Sequence, residues 1–229
     1  MKIILLDQTN WTDILTAIGT VGTVLISLGL LFYKEWWEPK WCKARLRVSI
    51  DRTYSFAIDT TWDALMNKAN EEMFTAAKIR LRVEHTRGNP AKNVEVFVTK
   101  VWDMKDGEKK QNGHFFPANL LWSGKMGQQT IRADFAGSTV RFCDLGIYGS
   151  NPDNYGWEFH VAISDFKGDP AVEKFSNILI AGVYELELLV TGENVEPSTS
   201  LWRLELSGDW SDKEEIMFSK HIKVRKIRE

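Results

Sequence analysis

Residues 14–33 read ILTAIGTVGTVLISLGLLFY, twenty positions without a charge, eleven of them Ile, Leu, Val or Phe. At about 1.5 Å per residue such a helix is about 30 Å long, the thickness of a bilayer's hydrocarbon core, so the run predicts a transmembrane helix. Trp11 lies before it and Tyr33, Trp36, Trp37 and Trp41 follow it, which puts amphipathic rings at headgroup level on both sides. The polar stretch at 7–13 separates the run from Lys2, and residues 33–37 offer no small-residue cleavage site, so the helix reads as a retained anchor rather than a cleaved signal peptide. Lys34, Lys40, Lys43, Arg45 and Arg47 crowd the far side, and cations flanking a membrane helix stay in the cytoplasm. The expected order is a short extracytoplasmic N-terminus at 1–13, the membrane helix at 14–33, a juxtamembrane linker at 34–43 and a cytoplasmic domain at 44–229.

Within the helix, Thr16, Thr20, Thr23 and Ser27 fall on one face, and Gly19 borders them. Small and hydroxyl residues on a shared face let membrane helices approach and hydrogen-bond, which predicts a homo-oligomer or a membrane partner. The alternative is that the hydroxyls bond back to carbonyls four residues upstream in their own helix.

Beyond residue 43 the period changes to two. Residues 44–50 (ARLRVSI) alternate Leu46, Val48 and Ile50 against Arg45, Arg47 and Ser49, as a half-buried strand does. Ile79, Leu81 and Val83, then Val94, Val96 and Val98, repeat the pattern. Further strands are expected in TIRADF, TVRFCDL, WEFHVAI, VYELELLV, SLWRLEL and IKVRKI, with residues 106–113 (DGEKKQNG) as a turn. Eight or nine short strands with turns at regular intervals predict an antiparallel β-sandwich. Two helical pieces interrupt it: residues 59–73, where Trp62, Leu65, Met66, Ala69 and Met73 recur at helical spacing, and residues 211–218, where SDKE reads as a capping box.

Composition narrows the function classes. The 229 residues hold 29 Lys+Arg against 31 Asp+Glu, a net charge of −2, so no basic excess points to nucleic acid. Cys42 and Cys143 have no metal-type spacing, and two free thiols in a reducing compartment is the simplest reading. A Cys42–Cys143 bridge is the alternative, in an oxidising one.

Residues 80–98 (RLRVEHTRGNPAKNVEVFV) resemble the strand, turn and strand of many bacterial immunoglobulin-like sandwiches, with His85 where an Asn is usual and one extra residue before Gly88. Residues 181–190 (AGVYELELLV) resemble the G-x-Y opening of a late sandwich strand, with Tyr184 placed for a tyrosine corner. With the anchor AIGTVGTVLISL and the segments NLLWSG, RFCDLG, TGENVEP and GDWSDKEEIMF, the chain is similar over most of its length to a group of uncharacterised bacterial single-pass membrane proteins with a C-terminal immunoglobulin-like sandwich. The resemblance implies a mainly β fold behind an N-terminal transmembrane helix, in the bacterial inner membrane. It carries no catalytic residues with it.

Motifs for chemistry are missing. His85, His114, His160 and His221 occur in no zinc-ligand spacing, and there is no G-x-S-x-G, GxxxxGK[ST] or GxGxxG. No metal site and no cofactor is expected, and the acidic turn at 103–108 lacks the closing Glu of an EF-hand loop. Two basic clusters stand out instead, Lys40, Lys43, Arg45 and Arg47 beside the membrane and Lys220, Lys223, Arg225, Lys226 and Arg228 at the end, both suited to anionic lipid. The leading expectation is a non-enzymatic, membrane-tethered interaction protein or scaffold presenting a cytosolic sandwich to a protein partner, with Trp122, Trp157, Trp202 and Trp210 as candidate contacts, most of which are expected to be core instead. Its rivals are an outward-facing sandwich that binds a glycan, peptide or ion, which a Cys42–Cys143 disulfide would favour, and an enzyme whose carboxylates converge only in the fold.

Overall fold

The computed structural model describes residues 11–37, 42–51, 53–59, 76–123, 130–151, 156–161 and 177–228. The chain divides into two compact units, Met1–Lys43 and Ala44–Glu229.

In the first unit, helix α1 (Trp11–Phe32) runs on into a π-helical turn, Tyr33–Trp37. Residues Leu15–Trp37 are long and apolar enough to cross a membrane, and none of that span is buried. Leu25 and Leu28 stand 63% and 57% exposed. An apolar surface of this kind is stable only against lipid or another apolar partner.

The second unit is a mainly β, antiparallel sandwich of two sheets. One sheet runs β1 (Arg45–Ser49), β3 (Ala76–Arg87), β9 (Val140–Asn151), β10 (Gly156–Val161) and β11 (Ile178–Leu179), with β2 (Phe56–Asp59) also on β3 and β7 (Leu121–Trp122) on β9. The other runs β14 (Ile222–Arg228), β13 (Ser198–Leu206), β12 (Gly182–Glu193), β4 (Ala91–Lys105) and β5 (Glu108–Gln111), with β6 (Ala118–Asn119) and β8 (Ala133–Phe135) on β4. Their inner rows make one core: Leu46 and Val48, Ile79, Leu81 and Val83, and Cys143 and Leu145 from the first sheet meet Val94, Val96 and Val98, Leu186, Leu188 and Val190, and Trp202 and Leu204 from the second. The trio β1-β3-β9 over β4-β12-β13 repeats the A-B-E over C-F-G relation of an immunoglobulin sandwich, although the strand outside β9 follows it in sequence instead of preceding it. Tyr184, near the start of β12, donates its hydroxyl to the Ile180 carbonyl at 3.1 Å, closing the tyrosine corner.

Three local expectations need correction. Residues 106–113 are not all turn, because Asp106 and Gly107, both at positive φ, reverse the chain, β5 pairs Glu108–Gln111 with β4, and a second turn starts only at Gly113. The SDKE capping box does not form. The Ser211 hydroxyl accepts from the Lys213 N–H at 3.2 Å, two residues on, and the short helix α2 (Glu214–Ile216) begins after Lys213 without a side-chain cap, continuing as a π-helical turn, Met217–His221. Residue Asp59 ends β2, and the remainder of the helix expected at 59–73 lies outside the described residues.

Candidate functional site

Strands β1 and β14 are the terminal strands of the two sheets, and both line one groove of about 1340 Å³. The inner rows explain its character. Along β14, Ile222 is buried, Val224 is half-buried and Lys226 continues the same row, so the row turns from apolar to cationic as it leaves the core. Along β1, Leu46 and Val48 are buried while Arg45 and Arg47 point the other way. The half-buried Ile50, Phe56, Phe218 and Val224 therefore floor the groove, with the Phe56 and Phe218 rings 4.4 Å apart. Arg47, Arg82, Lys223, Arg225 and Lys226 rim it, and Glu214 and Glu215 of α2 stand at its margin.

Two basic clusters far apart in sequence thus share one surface. A smaller adjoining groove extends it past Arg45, Arg87 and Ser198, with Lys226 lining both. Several of these cations are engaged: Arg82 with Glu84 at 2.8 Å, Arg225 with Glu205 at 3.6 Å, and Arg45 with Glu196. Among the described residues Arg47 and Lys223 make no ion pair, and both are exposed.

The four candidate tryptophans separate into two kinds. Trp122 and Trp202 are 3% and 2% exposed and belong to the core, Trp202 lying beneath the groove that it also lines. Trp122 Nε1 donates to the Val94 carbonyl at 3.0 Å, and Trp202 Nε1 donates to Ser200 Oγ at 2.9 Å. Trp157 and Trp210 are half-buried and stack on each other and on Tyr148. Burial, together with the Asp209 carboxylate, pushes the Tyr148 hydroxyl up to about 12.

In the first unit, Thr20 donates to the Thr16 carbonyl and Thr23 to the Gly19 carbonyl, each at 2.8 Å, which is the back-bonded alternative for these hydroxyls. Ser27 is exposed, and a Cβ added at Gly19 would meet nothing. Trp36 and Trp37 are 61% and 51% exposed in the π-helical turn that also carries Lys34, and Lys43 is exposed before β1. Trp11 opens α1, while Lys40 and Trp41 lie outside the described residues.

Among the described residues two serine hydroxyls lie against titratable groups: Ser123 Oγ donates to Asp144 Oδ1 at 2.6 Å, with Lys78 Nζ 2.9 Å from the other carboxylate oxygen, and Ser207 meets His221. Ser207 Oγ lies 2.9 Å from His221 Nδ1, but Asp209 faces that same nitrogen at 3.9 Å, so no carboxylate orients the imidazole from its far side as a Ser-His-Asp triad requires. The ring nitrogen of His85 rests 3.0 Å from the Asn89 carbonyl. Burial holds His160 below the ordinary histidine range, partly opposed by Glu158 3.7 Å away. No group of three or more His, Cys, Asp or Glu able to hold a metal occurs among the described residues. Both cysteines are free, and burial, with Asp144 beside it, pushes the Cys143 thiol far up, which leaves it unreactive.

Sequence reasoning found Arg47, Lys223, Arg225 and Lys226 of this surface and put Ile50 and Val224 in alternating strands, but it missed Arg82 and the Phe56–Phe218 pair on the floor. Phe56 and Phe218 sit in segments without a period-two or heptad signal, and only their contact across the groove reveals them. No family model matches the chain, and no curated protein and no solved structure matches it.

Proposed function

We propose that this chain is a non-enzymatic, membrane-anchored interaction protein of the bacterial inner membrane. Helix α1 crosses the bilayer with the N-terminus outside, and the sandwich stands in the cytosol, where it binds a protein partner. The observation that carries this reading is the groove between β1 and β14, an apolar floor under a cationic rim at the terminal strands of both sheets. Supporting it are the unburied apolar surface of α1 and the cations Lys34, Lys43 and Arg45 that follow it. The free Cys42 and Cys143 agree with a reducing compartment.

Topology and partnership are tested together. In a Cys42→Ser background, Lys110→Cys places a reactive thiol on the exposed strand β5 while Cys143 stays buried. An impermeant maleimide should leave Lys110→Cys unlabelled in spheroplasts and label it after lysis. Labelling in spheroplasts would turn the domain outward and install the ligand-binding reading. A photo-crosslinking residue at position 47 should give a discrete protein adduct in living cells. Absence of an adduct there and at position 223 would end the interaction reading.

A further inference from the structure

The groove has a shape and a charge pattern that specify more than a protein partner in general. A strand at the edge of a sheet carries unpaired backbone N–H and C=O groups on its outer side, and among the described residues β14, seven residues long, has only β13 beside it. Any strand added there would have two faces. Its inner side chains would continue the row of Ile222 and Val224 onto Ile50, Phe56 and Phe218. Its outer ones would neighbour Lys223 and Arg225, with Arg47 across the groove.

We propose that the groove binds an extended acidic segment of a partner protein, apolar at alternate positions, which adds as a strand to the edge of β14. The proposal rests on the interaction reading above and specifies the partner's chemistry. Strand addition draws affinity from main-chain hydrogen bonds and specificity from alternate side chains, which is the division of labour this groove presents. A second copy of this chain is the wrong occupant. The two edges at the groove read RLRVS and IKVRKIR, so pairing β14 with β1 or β14 of another copy would set Arg and Lys against Arg and Lys, and β5 at the far end of the second sheet (EKKQ) brings two more lysines. The same cations that repel a like strand select an acidic one. A flat anionic membrane would reach the rim cations but would leave the apolar floor unfilled.

The test uses the full chain in nanodiscs of zwitterionic lipid and three fluorescent heptapeptides: alternating Glu and Val, the same residues sorted into a Val block and a Glu block, and alternating Lys and Val. At low salt the alternating acidic peptide should bind about tenfold more tightly than either of the others, a difference of ~1.4 kcal/mol. The pair Lys223→Glu with Arg225→Glu should weaken it about tenfold, whereas Lys110→Glu, on the β5 edge, should not. If the double variant loses its cooperative thermal melt, hydrogen exchange of the wild-type chain decides, because the peptide should slow the β14 amides. Equal binding of the sorted peptide, indifference to the charge reversal, or unprotected β14 amides would each overturn the proposal. So would binding to phosphatidylglycerol vesicles through these cations without binding the peptide, which would make a lipid surface the occupant. If adducts from position 47 persist in the double variant, the interaction reading survives and the strand-addition assignment falls. If the peptide binds but cells yield no adduct, the groove's chemistry stands and the cellular role falls.

Discussion

Trp157 and Trp210 lie face to face, ring centroids 4.5 Å apart and planes 9° from parallel, with the Tyr148 ring beside both, 5.9 Å from Trp157 and 6.4 Å from Trp210. One ring stands on β10 and the other in the loop between β13 and α2, so the stack ties that loop to the first sheet. Both faces in contact are spent on each other, which makes the pair a structural clasp before it is anything else.

Trp157→Ala and Trp210→Ala should therefore each destabilise the sandwich by about 2 kcal/mol, with a coupling of ~1 kcal/mol in a double-mutant cycle by urea unfolding. Additive losses would show that the rings act independently.

Trp122 sits edge-on to Phe135, centroids 5.4 Å apart, and satisfies the Val94 carbonyl. Trp122→Phe keeps an aromatic ring but strands that carbonyl, so about 1–3 kcal/mol should be lost in chemical denaturation. A neutral outcome would mean that water or a backbone shift takes over the bond.

Gly146 is held by its surroundings. A Cβ there would meet the His160 carbonyl oxygen and the Phe159 ring where β9 and β10 pair. Gly146→Ala should cost about 1–3 kcal/mol by the same measurement, while Gly113→Ala, where a Cβ meets nothing, should be near neutral.

Glu187 bonds to Thr99 Oγ1 at 2.7 Å and to Lys100 at 3.1 Å. Burial raises its pKa, but these partners and Lys109 outweigh burial and hold the carboxyl below the ordinary glutamate range. A group whose folded pKa is depressed adds stability above its unfolded value, about 4.3, and loses it as pH falls through the folded value. Glu187→Gln should accordingly flatten the acid side of the stability profile below about pH 4.3, read from melting temperatures. An unchanged acid limb would remove Glu187 from that balance.

In α1, the Thr20 and Thr23 hydroxyls are already bonded to carbonyls of their own helix. Thr20→Val and Thr23→Val should change a membrane dimerisation reporter by less than about threefold, the ~0.6 kcal/mol average of an interhelical hydrogen bond in lipid. Gly19→Leu, which fills the small face, should lower any dimer signal further. A tenfold fall for the Thr variants would show the hydroxyls turned to a neighbouring helix.

The strands were readable because burial on one face writes a period of two. Leu46 and Val48, Ile79, Leu81 and Val83, and Val94, Val96 and Val98 all face inward as their alternation requires. The alternation of β4 breaks at Thr99, an extra residue between the pairs Val98–Leu188 and Lys100–Glu187, which lets Val101 resume the inward row and brings the Thr99 hydroxyl to Glu187. The capping box failed because SDKE states a local preference, and Ser211 found a nearer donor at Lys213. Trp202 was legible as core, because it alternates with Leu204 and Leu206 against Arg203 and Glu205, whereas Trp122 stands in the two-residue β7, too short for a period to show.

The sequence by itself determined the apolar span of α1, the antiparallel strands and the basic character of the last seven described residues, because periodicity, length and charge are local properties of a chain. Only the tertiary structure decided that Arg47 and Lys223 line one groove, that Phe56 touches Phe218 on its floor, and that β1 and β14 end the two sheets. Which strands lie at an edge depends on how every other strand pairs, and that is a property of long-range contacts which no window of residues records.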